Sequence, residues 1–251
     1  MVKRIRRTAV TLAGVRPSIA DPRAYAEVNV VGTINVLAAM QAAGVRSLAF
    51  ASSSSVYGNR VAVPFREDDR VDAPISPYAA TKKAGELLCH TWHHLYGLSI
   101  ACLRFFTVYG PRQRPDLAIA KFIDLVDAGQ PIPVYGDGTM SRDYTFATDI
   151  ADGIERAVAW TQASGAPRYG IFNLGNSSPV TLTELIEAVR HATGREVRID
   201  RRPLQPGDVD KTFADVSKAA QHWGWAPQTP LAEGLRQQVA WARARRAAGV
   251  P

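Results

Sequence analysis

The sequence predicts an α/β protein. Three observations carry this: helical and extended segments alternate, several helical segments open on a capping residue, and most close on a glycine. In order, Asp21-Pro22 supplies an N-cap and a first-position proline for a helix running to Gly44. Ser47–Ser52 (SLAFAS) reads as a buried strand. Tyr78–Tyr96 reads as a helix closed by Gly97, and Ser99–Phe106 (SIACLRFF) as the strand after it. A helix near Leu117–Ala128 stops at Gly129, another spans about Thr148–Ser164, and Ile171–Leu174 is a short strand. Thr181 and Glu184 form a capping box that opens a helix to Gly194. An amphipathic helix from about Leu231 to Ala248 comes last. Gly136-Asp137-Gly138 stands between two extended stretches and reads as a turn.

The 251 residues are 46% hydrophobic and 21% charged, an ordinary globular composition, and no apolar run reaches the ~18 residues of a membrane span. Cys89 and Cys102 lie in apolar segments without CxxC spacing, as buried thiols of a reducing, cytoplasmic setting would. The net charge of +7 invites a nucleic-acid reading. It is carried at the two ends, by Lys3, Arg4, Arg6 and Arg7 and by Arg243, Arg245 and Arg246, and no nucleic-acid motif accompanies it. Solvated ends are expected, with neither nucleic acid nor membrane as a partner.

Tyr78 and Lys82 stand at i and i+4, so a phenol and an ammonium share one helix face. Using a tyrosine as a base at pH 7 costs about 4 kcal/mol, because an unperturbed phenol titrates near ~10. A neighbouring cation lowers that cost. Upstream, Ser52-Ser53-Ser54-Ser55-Val56-Tyr57-Gly58 follows a buried strand, where serines are placed to hydrogen-bond a substrate hydroxyl. Downstream, Phe106-Thr107-Val108-Tyr109-Gly110-Pro111 leaves the next strand, and Ser141-Arg142-Asp143-Tyr144 precedes Thr148-Asp149. His90, His93 and His94 have a spacing that can ligate zinc, but without HExxH they read as a polar helix flank, and no metal is expected.

This ordered set, from about Gly14 to Trp241, resembles the extended short-chain dehydrogenase/reductase family, within it the nucleotide-sugar epimerases and dehydratases. The resemblance implies NAD as cofactor, Tyr78 as catalytic base, Lys82 as its pKa partner and ribose ligand, and Ser53 as the hydroxyl on the sugar O4. It implies Asn29 on the cofactor side and Arg142 on the substrate diphosphate. It further implies oxidation at C4 with hydride return to the opposite face, and a homodimer through the helices Pro22–Ala43 and Tyr78–Tyr96. The dehydratase branch carries an acid after the catalytic hydroxyl, where this chain has Ser54 and Ser55. Thr107, Arg114 and the run Gln205-Pro206-Gly207-Asp208-Val209 are similar to UDP-glucuronate 4-epimerases. Ser54, Thr107, Arg114, Arg142 and Asp208 are therefore the expected substrate side. Arg114 suits a sugar 6-carboxylate, which it can grip bidentately, with UDP-glucose as the alternative substrate and a plain surface arginine as the alternative role.

The implied fold is a Rossmann-type doubly wound parallel sheet with a smaller α/β substrate domain. Residues 1–107 and 143–175 would form the first, 108–142 and 176–251 the second. Such a sheet normally opens on a strand, a glycine-rich turn and a helix whose N-terminus meets the pyrophosphate. No G-x-G-x-x-G or G-x-x-G-x-x-G occurs in the sequence. The expectation is an incomplete, N-terminally truncated Rossmann domain that holds NAD weakly by itself, with an inactive remnant binding only UDP-sugar as the other outcome.

Overall fold

The computed structural model describes residues 11–203 and 210–249. The chain enters through α1 (Val15–Ala20) and α2 (Pro22–Ala26). Asp21 caps α2 as expected, its carboxylate accepting from the Ala24 amide at 3.0 Å. The single helix expected to Gly44 is instead interrupted: a wide π turn at Glu27–Val31 separates α2 from α3 (Gly32–Ala42). Next come β1 (Ser47–Ser53), a 3-10 turn at Ser54–Tyr57, α4 (Pro77–Tyr96), β2 (Ser99–Phe105) and β3 (Thr107–Tyr109). These are followed by α5 (Ala118–Asp127), β4 (Ile132–Tyr135), β5 (Ser141–Phe146), α6 (Ala147–Gln162) and β6 (Tyr169–Leu174). The rest is β7 (Pro179–Thr181), α7 (Leu182–Thr193), β8 (Ile199–Arg202), α8 (Ser217–Trp223) and α9 (Leu231–Ala247). The capping box of α7 forms as read, with Thr181 Oγ1 accepting from the Glu184 amide at 3.1 Å and Glu184 accepting from the Thr181 amide at 2.7 Å.

The central sheet is parallel, in the order β1-β2-β6. Side chains alternate across it. Leu48 and Phe50, Ile100 and Cys102, and Tyr169 and Ile171 face one way and pack against Leu37 of α3 and Leu88, Cys89 and Trp92 of α4. Ala49, Ala101, Leu103, Phe172 and Leu174 face the other way, onto Ile150, Ile154 and Ala157 of α6, Ala219 of α8, and Trp225. Burial on both faces explains why these strands read as unbroken apolar runs. No helix among the described residues is long and apolar enough to cross a membrane.

Helix α4 lies close on the sheet because residue 85 is glycine. A Cβ there would sit 2.3 Å from Cζ of Phe50. In an exposed helix alanine is better than glycine by about 1 kcal/mol. Here overpacking is worth about 1–3 kcal/mol in the opposite sense, so Gly85→Ala is expected to destabilise the protein. A urea midpoint that rises in this variant would refute the close approach.

A second core joins α5, α7 and α9: Ile119, Phe122, Ile123, Leu185, Val189, Leu235 and Val239 are all buried there. The carboxyl ends of α5 and α7 come together beside the last turn of α9. Arg243 reaches both Asp127 (2.8 Å) and the Thr193 carbonyl (2.7 Å). Arg195 donates to the Asp127 carbonyl (3.0 Å), and Arg246 pairs with Asp124 (3.0 Å) and with Asp127. Burial works against the Asp127 carboxylate, yet Arg243, Arg246 and Arg195 hold it below the usual range.

Candidate active site

The carboxyl end of β1 meets the amino end of α4. Ser53 is the last strand residue and caps the turn after it, its Oγ accepting from the Ser55 amide at 3.1 Å. Ser76 caps α4 by accepting from the Ala79 amide at 3.1 Å, with Pro77 at the first helical position. That start places Tyr78 in the first turn and Lys82 one turn later. The Ser53 hydroxyl acts on the Tyr78 phenol and lowers its pKa. The structure thus brings Ser53, Tyr78 and Lys82 to one place.

Lys82 is only 3% exposed. Its Nζ donates to Thr11 Oγ1 at 2.6 Å and to the Ala51 carbonyl at 2.8 Å, and lies 5.7 Å from the Tyr78 ring centroid. Burial pulls its pKa down to about 8. Asn29 sits in the π turn, an irregularity that recurs at functional sites. Its Oδ1 accepts from the Leu12 amide (2.8 Å), and its Nδ2 donates to the Leu12 carbonyl (3.0 Å) and to Thr81 (3.0 Å). Asn29 therefore fastens the segment that carries Thr11 to Lys82. Two of the three ammonium donors of Lys82 are used in this way.

Burial dominates the electrostatics of Tyr78. Its pKa is raised, chiefly by burial; the Ser53 hydroxyl lowers it, the neighbouring Tyr25 raises it, and the charge of Arg114 lowers it. The ammonium of Lys82 donates to Thr11 and Ala51, and the charge of Arg114 also favours the phenolate. Tyr25, itself buried, meets the Tyr78 ring edge to face at 6.2 Å.

On the expected substrate side, Ser54 is half-buried in the 3-10 turn and Thr107 is half-buried at the start of β3. Arg142, on the adjoining strand β5, donates to the carbonyls of Ser141 (2.9 Å) and Asp210 (3.4 Å). Arg114 grips Asp116 with two hydrogen bonds (3.0 and 2.6 Å) and reaches the Ala13 carbonyl (3.0 Å). Asp208 lies outside the described residues. His93 Nδ1 is bonded to the Leu98 carbonyl at 2.8 Å, and the rings of His90 and His93 pack on Tyr169.

Sequence reasoning missed Thr11 and Tyr25. Tyr25 stands four residues before Asn29, a spacing that could have put it on the same helix face. Nothing in the sequence marks Thr11.

Residues 10–238 match the family model described as GDP-mannose 4,6 dehydratase. A UDP-glucuronate 4-epimerase from Thermodesulfobacterium geofontis is 43% identical over 92% of this chain and 70% of its own length. The solved UDP-glucuronic acid 4-epimerase from Bacillus cereus, in complex with UDP-glucuronic acid and NAD, superimposes with a TM-score of 0.86 at 31% identity, covering 93% of this chain and 73% of that one. MoeE5 in complex with UDP-glucuronic acid and NAD gives 0.87 at 37% identity, covering 93% and 77%. With the ordered motifs, the Rossmann-type layers and these matches together, the chain belongs to the NAD-dependent epimerase/dehydratase family that this model describes.

Proposed function

We propose that this protein is a UDP-glucuronate 4-epimerase that uses NAD. The observation that carries the reading is the convergence of Ser53, Tyr78 and Lys82 where β1 ends and α4 begins. The relatives named for this reaction support it. In this reading Tyr78, as phenolate, takes the proton of the sugar 4-hydroxyl, and Ser53 holds that oxygen. Lys82 and Asn29 lie on the cofactor side, Lys82 against the ribose. When bound, NAD supplies a hydride acceptor that returns the hydride to C4. The 4-keto sugar turns over between the two transfers, and Tyr78 gives the proton back. Ser54, Thr107, Arg142 and Asp208 contact the sugar nucleotide. Residues 1–107 and 143–175 are the cofactor portion and 108–142 and 176–251 the sugar-nucleotide portion, with α8 and Trp225 packed under the sheet of the first. Exposed Val31, Leu87 and Leu95 on the helices that include α3 and α4 support a homodimer through them. The free, buried thiols of Cys89 and Cys102 support a reducing, cytoplasmic location.

Arg114 is the proposed carboxylate ligand, exchanging Asp116 for the sugar. The test is NMR of the anomeric protons with UDP-glucuronate and UDP-glucose. Arg114→Ala should lower kcat/KM for UDP-glucuronate at least tenfold more than for UDP-glucose, because only the former offers a carboxylate. Equal losses would remove Arg114 from that role. A wild-type preference for UDP-glucose, which MoeE5 also binds in a solved structure, would favour that substrate instead.

A further inference from the structure

Beneath the site, the sheet carries a charged cluster in an otherwise apolar layer. Ser52 of β1, Arg104 of β2 and Asn173 of β6 stand in register in one row across the three strands. Glu86 of α4 reaches down onto this row. Its Oε1 accepts from Ser52 Oγ at 2.7 Å and from Arg104 Nε at 2.8 Å, and its Oε2 accepts from Arg104 Nη2 at 2.9 Å. Glu86 and Arg104 are each 1% exposed. The guanidinium lies over the Tyr57 ring, 4.8 Å from its centroid, and the Tyr57 hydroxyl donates to Asn173 Oδ1 at 2.7 Å. Arg104 Nη1 is buried without a hydrogen-bond partner among the described residues.

A buried ion pair is a weak source of stability, since an apolar pair of similar size often does as well. Its directional bonds do fix geometry. Tyr78, Lys82 and Glu86 are spaced i, i+4 and i+8, so they follow one face of α4, with Glu86 about 12 Å along the axis from Tyr78. Ser52 is the chain neighbour of Ser53. A helix pinned at Glu86 to Ser52 and Arg104 therefore has its height and rotation set against the strand end that holds Ser53. We propose that Glu86, gripped by Ser52 and Arg104, is a positioning residue that sets the register of α4 so that Tyr78 and Lys82 meet Ser53. This rests on the reading of Tyr78 and Lys82 as the reacting pair. A misplacement of about 1 Å at a reacting centre can cost 10²-fold in rate, so the clamp has a large lever.

The test uses the full chain and a readout that needs no turnover. Lys82 is titrated by trace labelling with acetic anhydride across pH, followed by mass spectrometry. The wild type should show a midpoint near 8. The double variant Glu86→Leu/Arg104→Met removes both charges together and is expected to fold. Released from its register, Lys82 should titrate at least one unit higher, toward the ordinary ~10.4. An unchanged midpoint in a folded double variant overturns the proposal. Should that variant not fold, Glu86→Gln decides. Loss of the negative charge alone would move the Lys82 midpoint down, whereas loss of register moves it up; a downward or absent shift overturns the proposal. With UDP-glucuronate, the double variant should lose at least tenfold in kcat with KM within twofold. If the wild type, supplied with NAD in excess, turns over neither sugar nucleotide, the reaction reading fails, and the labelling result still judges the clamp.

Discussion

Tyr78→Phe is expected to lower turnover of UDP-glucuronate by about 10²–10⁴-fold, the range that a positioned acid–base group contributes. Phenylalanine keeps the ring that meets Tyr25 edge to face and removes only the phenol oxygen. KM should therefore stay close to the wild-type value, and the loss should fall on kcat. The pH dependence is specific. Burial raises the Tyr78 pKa, and only the deprotonated phenol accepts the 4-hydroxyl proton. Wild-type kcat should thus climb as pH rises above neutrality, with a slope of one proton, and the residual rate of the variant should lose that limb. Retention of the limb in Tyr78→Phe would mean that another group is the base.

Trp225→Ala should be the most damaging single change to the fold, destabilising it by about 3–5 kcal/mol. Trp225 is fully buried beneath the central sheet with Leu174, Ile150 and Ala157, and its indole donates to the Asp149 carbonyl at 3.0 Å. Gly153 faces that nitrogen; a Cβ at residue 153 would lie 3.1 Å from Nε1, so the layer has little room to collapse into the space vacated. Truncation leaves a cavity and removes the indole hydrogen bond together, each with its own cost. Trp225→Phe, which loses the hydrogen bond but fills most of the space, should cost clearly less. Denaturant midpoints for the two variants check the ordering, and a loss below about 1 kcal/mol for the alanine variant would refute this account.

Much of this architecture is legible in the sequence because it is local. The Asp21 cap, the Thr181–Glu184 box and the terminating glycines Gly97 and Gly194 act within a few residues, and all form as read. β1 and β2 are legible because a strand covered on both faces has no polar alternation to confuse it. β3 and β7, each three residues long, are too short to show a period, and the exposed β8 (Ile199–Arg202) is charged along most of its length. The Ser53–Tyr78–Lys82 group is readable because its motifs flank the strand and helix that deliver them. Thr11 on Lys82 and Arg104 on Glu86 are contacts across 71 and 18 residues of sequence, which no local pattern encodes. The raised pKa of Tyr78 is likewise a product of burial, and residue spacing alone points the other way.

The arginines at the end of α9 have a consequence for how the molecule responds to salt. They resemble a polyanion-binding tail in sequence, yet Arg243 and Arg246 are engaged inward, with Asp124, Asp127 and the Thr193 carbonyl at the negative ends of α5 and α7. They work as an ionic clasp between three helices that are otherwise joined by greasy contacts. At 1 M salt the screening length falls to about 3 Å, so the partly exposed members of the clasp should weaken while the apolar packing tightens. Hydrogen exchange of the last turns of α5, α7 and α9 should accordingly speed up with sodium chloride, while the amides of the central sheet do not. The positive charge that gives the chain its basic character is, at this end, the fastening of a corner.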